Sequence, residues 1–332
     1  MKIDLKIILV ILFSPLLVHC QERPTLSFEV SVKDDKGEPV ENCEVWAQTF
    51  LKWEEGQGFG KDISQEFSSR TNEEGVAKFD FPSAKGDLKF KPLAPKGFYE
   101  NYVTEHQFQE FSEGSWFVEP KRFETTLKRI KEPVPLYARS MVRSFAKIEI
   151  PELGRPCGFD LIESDWVAPH GLGKTSDLVF TLEKDFKSHS DFTCELSIVC
   201  SNPKDGFILV EKEPRKGSQL RLPFLAPEED YQELVVKSIS VTPANKVMTS
   251  DVSNIANYFL RLRTVLDENK EIESANYAKV HGDFRFDPIN SDTAILNFDY
   301  YMNPVPNERN LEFDLSRNLL TDERKTDKVV NP

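Results

Sequence analysis

Apolar and polar residues alternate along much of this chain, and this period of two constrains its fold more than any other feature. Leu26, Phe28, Val30 and Val32 alternate with polar residues, and residues 192–200 repeat the pattern. Successive side chains of a strand point to opposite faces, so the alternation predicts strands with one buried face. The 21 prolines agree with this interpretation, because proline removes a backbone donor and disrupts a helix interior.

Turn sequences separate the alternating segments, among them the runs at 34–39, 70–75 and 202–206. Strands are expected at 26–32, 43–47, 76–81, 88–91, 123–127, 178–182, 192–200, 207–210, 234–241, 255–265, 273–286, 294–302 and 311–315. The segments 255–265 and 273–286 are close enough along the chain to form a hairpin. The fold class expected is therefore all-β, with two antiparallel β-sandwich domains in tandem, the second a sandwich or a jelly roll.

The chain has 332 residues, which at about 150 residues per domain favours two domains. We expect a signal peptide at 1–20, a first domain at 24–130, a proline-containing linker at 131–147, a second domain at 148–318 and a flexible charged tail at 319–332. The linker is placed at Lys-Glu-Pro-Val-Pro, because alternate prolines keep a segment extended.

The first 20 residues are typical of a secretory signal. Lys2 and Lys6 precede an apolar run of 12 residues at 7–18, which is too short for a transmembrane helix of about 20 residues. The run ends in Leu-Val-His-Cys and resembles a bacterial lipobox, in which Cys20 would be acylated. His19 departs from the small residue usual at that position, so ordinary cleavage near Cys20 is the alternative.

The first domain resembles a known family. The pattern Asp34-x-x-Gly37-x-Pro39 followed by Cys43-x-Val45, and later the run Thr-Asn-x-x-Gly-x-Ala-x-Phe at 71–79, is similar to the carboxypeptidase regulatory-like, transthyretin-type β-sandwich. The resemblance covers residues 24–130 and implies a Greek-key, prealbumin-like sandwich that serves as an appended structural or adhesive module. It implies no peptidase activity, and the five His show no zinc-ligand spacing.

The whole chain resembles uncharacterised exported bacterial envelope proteins and lipoproteins. The segments that carry this resemblance are 165–171, 222–227 and 282–288. It implies a cell-envelope location, with the periplasm, the outer membrane and the cell surface as alternatives, and it implies no activity.

Charge and cysteine content exclude several partners. The net charge of −13 argues against nucleic acid, which requires a basic surface, and against adsorption to an anionic membrane. A lipid on Cys20 would then be the only membrane attachment. Cys194 and Cys200 lie on the same strand, about 20 Å apart at about 3.3 Å per residue, so they cannot form a disulfide with each other. Buried free thiols are the simplest expectation, and pairing with Cys157 stays open.

Three further motifs carry little chemistry. Residues 168–175 match a loose phosphate-loop pattern, but a strand-like segment follows them instead of a helix, so no nucleotide is expected. The acidic run at 283–292 lacks calcium-loop spacing, and a solvated turn is the simpler interpretation, so we expect no metal and no cofactor. Cys157 and His170 are close in sequence, but nothing else supports a catalytic pair.

Two surfaces are candidates for ligand binding. The glycine-rich segment 53–60 carries two aromatic residues, and either a plain extended loop or a ligand-contacting loop fits it. Charged and aromatic residues also share strand faces around the expected hairpin, where they could form a platform for an acidic sugar or a peptide. A cross-strand charge ladder that only stabilises the sheet is the alternative. These candidate ligand-binding residues are Arg261, Arg263, Asp283, Arg285, Asp287 and Tyr301.

The sequence thus predicts a non-catalytic exported envelope protein, a structural or binding module for a protein or glycan partner. An extracellular glycan or ester hydrolase with an unrecognised active site is one alternative. An assembly subunit that offers exposed strand edges is the other.

Overall fold

The structure is a computed structural model that describes residues 24–54, 61–141, 148–322 and 329–332. The predicted signal peptide, Cys20 and most of the glycine-rich loop lie outside the described residues. Within them the chain is all-β, with no helix. No described segment forms a helix long and apolar enough to cross a lipid bilayer.

The first part of the chain folds into two sheets packed face to face. Its strands are β1 Thr25–Asp34, β2 Glu44–Glu54, β3 Lys61–Arg70, β4 Val76–Pro82, β5 Asp87–Pro92, β6 Thr104–Gln107, β7 Phe111–Ser112, β8 Ser115–Trp116 and β9 Arg122–Leu127. Strand β1 pairs antiparallel with β4 on one side and parallel with β8 and β9 on the other, and β7 continues that sheet. The second sheet has the order β3-β2-β5-β6. We call this unit the N-terminal sandwich.

The core of the N-terminal sandwich is aromatic. The alternation seen in the sequence buries Leu26, Phe28, Val30 and Val32 on the inner face of β1. The ring of Phe28 stacks on that of Phe79, with centroids 4.8 Å apart. Each such ring removed from water contributes about 1.5–3 kcal/mol, so this face holds the two sheets together.

The second part of the chain forms a larger sandwich, which we call the C-terminal sandwich. Its strands are β10 Val134–Ser140, β11 Ile148–Glu149, β12 Cys157–Asp160, β13 Asp165–Trp166, β14 Leu178–Ser188, β15 Asp191–Cys200, β16 Gly206–Glu211, β17 Leu234–Val241, β18 Thr249–Ser250, β19 Ala256–Leu266, β20 Ile272–Asp287, β21 Ile295–Asn303 and β22 Phe313–Asn318. One sheet has the order β16-β19-β20-β21-β10-β22, with β11 also on β21. The facing sheet has the order β13-β12-β14-β15-β17-β18.

Two apolar layers flank the first of these sheets. Its inner face packs against the second sheet through residues such as Phe180, Phe284 and Phe298. Its outer face is also buried, where Phe259 and Tyr301 lie under chain segments outside the sheets. The predicted β19–β20 hairpin is observed, and Phe259 pairs with Lys279 across it.

Two segments differ from their predictions. Residues 134–140, within the predicted linker, form β10 inside the large sheet, paired with β21 and β22. The prolines do keep this segment extended, and an extended segment with apolar side chains can enter a sheet. The predicted tail 319–332 is also docked at its end. Val329 packs on the outer apolar layer, and the main-chain oxygen of Pro332 accepts a hydrogen bond from Lys279 at 3.1 Å.

Direct hydrogen bonds join the two sandwiches. Tyr99 donates to Glu312 at 2.7 Å, and Lys128 donates to the carbonyl of Leu220 at 2.8 Å. Asn101 and Ser218 form an antiparallel bridge between the two units. The contacts therefore involve both main chain and side chains.

Candidate functional site

The structure does not bring the six predicted ligand-binding residues together on one exposed surface. Arg263 turns inward from the end of β19, where its backbone has a φ of 54°. Its guanidinium holds Asp177 through two bonds of 2.6 and 2.9 Å and reaches Asp160 at 3.3 Å. This is an internal clamp between two loops and the large sheet, because both carboxylates are buried.

Electrostatics shows how this clamp is supported. Burial raises the pKa of Asp177, against the opposing effect of Arg263. Burial also acts on Asp160, but four backbone N–H donors hold the pKa of its carboxyl below the ordinary value. Two of those donors belong to Lys174 and Thr175 in the loop that resembles a phosphate loop. The amides that would cradle a phosphate therefore already bind a carboxylate of this chain.

Asp283 is another buried carboxylate that bonds side chains of neighbouring strands. It is 1 % exposed, accepts a hydrogen bond from the Tyr258 hydroxyl at 2.7 Å, and pairs with Lys237 at 2.9 Å. Burial and the neighbouring Asp283 carboxylate raise the pKa of Tyr258. The predicted site residue thus ties β19 and β17 together from inside.

The other four residues have separate surroundings. Arg261 donates to the carbonyls of Lys204 and Glu228, and Tyr301 is buried in the outer apolar layer. Arg285 donates a hydrogen bond to the side-chain oxygen of Asn254 at the surface. The carboxylate of Asp287 accepts a hydrogen bond from the backbone N–H of Ile289 in the same turn. These contacts form neither a shared ligand platform nor a cross-strand charge ladder among the six residues, and each residue instead has its own partners elsewhere in the chain.

The four described thiols are free. Cys43, Cys157 and Cys194 are buried, and Cys200 is half-buried. Burial raises the pKa of the Cys43 thiol to about 11, which leaves it protonated at neutral pH. His170 lies 3.5 Å from Glu152, so its described contact is with a carboxylate. These thiols have the surroundings of core residues.

A surface that the sequence analysis did not identify lies on the N-terminal sandwich. Strands β7 and β8 form a short hairpin whose turn residues Glu113 and Gly114 have φ values of 50° and 79°. Phe111 pairs directly with Trp116 across it, with ring centroids 5.4 Å apart. Phe111 is 51 % exposed and Phe117 54 % exposed. We call residues 111–117 the aromatic hairpin.

The aromatic hairpin borders an open groove of about 850 Å³ on the outer face of β1 and β4. Its floor carries the pairs Ser27–Asp80, bonded at 2.7 Å, and Glu29–Lys78, at 3.5 Å. Its wall includes Trp116, whose indole N–H donates to the carbonyl of Ser83 at 3.0 Å and so fixes the ring. The groove therefore combines aromatic surface with charged groups on a rigid sheet, which is the composition of many recognition sites. The groove is lined by Ser27, Phe28, Glu29, Lys78, Phe79, Asp80, Ser112, Ser115, Trp116, Phe117, Val118 and Lys121.

A sequence signal for this surface existed, although it was weak. The run Phe-Ser-Glu-Gly-Ser-Trp-Phe at 111–117 places three aromatic residues around a Glu-Gly turn. Glu-Gly is a less usual turn pair than Asn-Gly or Asp-Gly, and the strands on either side have only two residues each. The period of two, which requires longer segments, could not reveal it.

Comparison with known proteins gives no family. No protein-family model matches the chain, and no curated protein matches it. Among solved structures, a DUF3823 family protein from Parabacteroides merdae is 7 % identical with a TM-score of 0.18, covering 85 % of this chain and 100 % of that one. The major pilin SpaD of Corynebacterium diphtheriae is 10 % identical with a TM-score of 0.22, covering 74 % and 89 %. The major pilin subunit BcpA of Bacillus cereus is 11 % identical with a TM-score of 0.22, covering 84 % and 96 %.

Similarities this low assign neither a fold family nor a function. The carboxypeptidase regulatory-like resemblance of residues 24–130 is not confirmed by them and stays a prediction. The two pairs of packed sheets in the described residues make the chain an all-β protein with sandwich architecture.

Proposed function

We propose that this protein is an exported, non-catalytic binding module of the bacterial envelope, anchored through Cys20, that recognises a protein or glycan partner. The observation that carries the proposal is the groove between the aromatic hairpin and the outer face of β1 and β4. It is the place where exposed aromatic rings, an open concave surface and charged side chains coincide.

The internal position of the buried carboxylates supports a non-catalytic role. Within the described residues, each buried acidic side chain accepts hydrogen bonds from the protein itself. A hydrolase needs acidic groups that face a substrate cleft, and these groups instead hold loops and strands. The groove floor likewise offers charges that are paired across strands.

Binding to detergent-extracted cell envelopes of the native host tests the groove. Detergent removes lipid, so the wild-type chain should still sediment with the remaining protein and glycan. The variant Trp116→Ala/Lys78→Glu should lose at least about tenfold in binding, because it removes one groove wall and reverses one floor charge. Protease treatment or periodate oxidation of the envelopes then identifies the partner class.

A matched control keeps this experiment specific. Leu172 is 82 % exposed on the C-terminal sandwich, and Leu172→Ser removes exposed apolar surface far from the groove. Equal binding by the wild type, the groove variant and the control would refute the groove as the recognition site. Loss of palmitate labelling in Cys20→Ala, with labelling of the wild type, tests the anchor separately.

A second candidate function, assembly through strand edges, has one observation in its favour. Strand β3 has 10 residues and, in the described part of the chain, pairs with β2 on one side only. An unpaired edge of this length can accept a strand from another chain. Size-exclusion chromatography across a hundredfold concentration range tests it: Ser68→Pro should abolish any association if β3 is the assembling edge.

A further inference from the structure

The start of the N-terminal sandwich is bonded to the aromatic hairpin. The backbone N–H of Thr25 donates to the carbonyl of Gly114 at 3.1 Å, and the hydroxyls of Thr25 and Ser115 lie 3.0 Å apart. The carbonyl of Pro24 accepts from Ser83, whose own carbonyl accepts from the Trp116 indole. The point at which the described chain begins is thus fixed against the turn and the second strand of the hairpin.

Chain length places Cys20 near the same point. Four residue steps separate Cys20 from Pro24. A fully extended chain covers about 3.5 Å per residue, so the two residues are at most about 14 Å apart. A lipid on Cys20 would therefore hold the hairpin end of the sandwich close to the membrane surface, whatever path the intervening residues take.

The exposed rings suit that location. Phe111 and Phe117 are each about half exposed and have no polar tip that would favour water. Segments that bind a membrane from its surface bury Phe, Leu and Trp side chains at the boundary between headgroups and acyl chains, and a patch of exposed apolar surface indicates an interaction site. The hairpin that carries the rings projects into solvent, since each residue from 111 to 115 is exposed.

We propose that the aromatic hairpin rests on the lipid surface that holds the Cys20 anchor, with Phe111 and Phe117 in contact with the bilayer. This inference rests on the proposed anchoring of Cys20. It deepens that function, because it fixes which end of the protein faces the membrane and places the groove, which shares Trp116 and Phe117 with the hairpin, at that surface.

The charge around the rings indicates the kind of membrane surface involved, and the tether explains how two rings can bind it. Glu110 and Glu113 flank the rings, Lys78 and Lys121 line the neighbouring groove, and the whole chain carries −13, so an anionic surface offers this end no net attraction. A zwitterionic phosphatidylcholine surface, which requires no such attraction, is therefore the surface that we expect. Two rings alone give weak binding, but a tether raises their local concentration, so the hairpin acts as the second of two membrane signals.

A tethered vesicle assay tests the proposal without depending on natural acylation. The chain from Cys20 onward is coupled through that thiol to maleimide phosphatidylethanolamine in phosphatidylcholine vesicles, with Cys200→Ser as the background. Cys43, Cys157 and Cys194 are buried and do not compete for the reagent. Tryptophan fluorescence is then measured with phosphatidylcholine brominated near the headgroup. The Trp116→Phe variant identifies the share of quenching that belongs to Trp116.

The brominated lipid should quench the fluorescence of Trp116 once the protein is tethered. The double variant Phe111→Ser/Phe117→Ser should reduce this quenching at least about threefold. Leu172→Ser, the matched control, should leave it unchanged. Absence of quenching in protein that floats with the vesicles would overturn the membrane contact, as would equal quenching in Trp116→Phe. The tether in this assay is formed chemically, so its result does not depend on whether Cys20 is acylated in cells. Palmitate labelling tests the acylation of Cys20. Binding to detergent-extracted envelopes tests recognition by the groove.

Discussion

The two sandwiches differ in how much charge they bury and in where they expose aromatic rings. Among its described residues, the N-terminal sandwich buries one charged side chain, Asp34, and it exposes aromatic rings at the hairpin. The C-terminal sandwich buries Asp160, Asp177, Asp283 and Lys279, among others, and uses them inside the fold. Buried charge in the C-terminal sandwich therefore serves internal structure, whereas the N-terminal sandwich exposes aromatic rings where the proposed contact lies.

A physical reason explains part of the difference. The large sheet of the C-terminal sandwich is covered on both faces, so polar residues on its outer face, such as Lys279, become buried and need partners. The sheets of the N-terminal sandwich leave their outer faces to solvent, where Glu29 and Lys78 form an ordinary surface pair.

The largest expected effect is at the internal clamp. Arg263→Ala removes the guanidinium from Asp177 and Asp160 and leaves two buried carboxylates without a cation. We expect the free energy of unfolding to fall by about 3 kcal/mol or more, measured by urea denaturation. The control is Arg285→Ala, which removes one surface hydrogen bond and should cost less than about 0.5 kcal/mol. Similar small losses in both variants would contradict a structural role for the clamp.

A smaller effect is expected at the buried charge of the N-terminal sandwich. Asp34 accepts backbone N–H groups of Lys36 and Glu38 at 2.9 Å each and pairs with the half-exposed Arg129 at 2.8 Å. Asp34→Ala should cost about 2 kcal/mol, because two turn donors lose their acceptor while Arg129 can return to water. Asp80→Ala, at an exposed cross-strand pair, is the control. If Asp80→Ala lowered the free energy of unfolding more than Asp34→Ala, the contrast between buried and exposed charge in the two sandwiches would be contradicted.

Stability should also depend on pH through Lys279. Burial lowers the pKa of this fully buried ammonium to about 7, with Lys128 and Arg221 adding repulsion and Glu312 opposing it. The unfolded chain, with a lysine pKa near 10.4, then binds more protons than the folded chain between pH 7 and 10. The free energy of unfolding should therefore rise with pH in this window, by at most about 1.4 kcal/mol per pH unit for this group.

Lys279→Met separates this contribution from the rest. The variant should show a shallower rise between pH 7 and 9, and the remaining slope belongs in part to Lys128, whose pKa burial lowers to about 8. The measurement is urea unfolding at several pH values. An unchanged slope would mean that Lys279 is not the group that titrates.

The sequence predicted the strands much better than the sites. Long alternating segments such as β15 and β17 were placed within one residue at each end, because one buried face imposes the period of two. The same pattern placed Arg261 and Asp283 correctly on β19 and β20. It could not tell that the outer face of the sheet is covered, since the covering segments are distant in sequence and have no strand pattern. Arg261, which suggested part of a surface platform, was therefore inside.

The role of residues 134–140 shows the same limit. The prolines indicated an extended segment, and that inference holds, but local sequence does not reveal whether an extended segment is a linker or a strand. Pairing with β21 and β22 decides it, and those strands lie more than 150 residues away. Non-local pairing of this kind is the part of a β fold that composition and periodicity cannot supply.

The smallest expected effect on stability is at the aromatic hairpin, and it tests the comparison most directly. Phe111→Ser/Phe117→Ser should change the free energy of unfolding by less than about 1 kcal/mol, because both rings are already half in water. Phe123→Ser, which removes a ring that is 6 % exposed in the core of the same sandwich, is the contrasting variant and should cost several kcal/mol. If the double hairpin variant were as unstable as Phe123→Ser, the rings would belong to the packing of the sandwich, and their exposure would no longer indicate an external contact. If it stays stable while lipid quenching of Trp116 is lost, the rings serve a contact outside the fold.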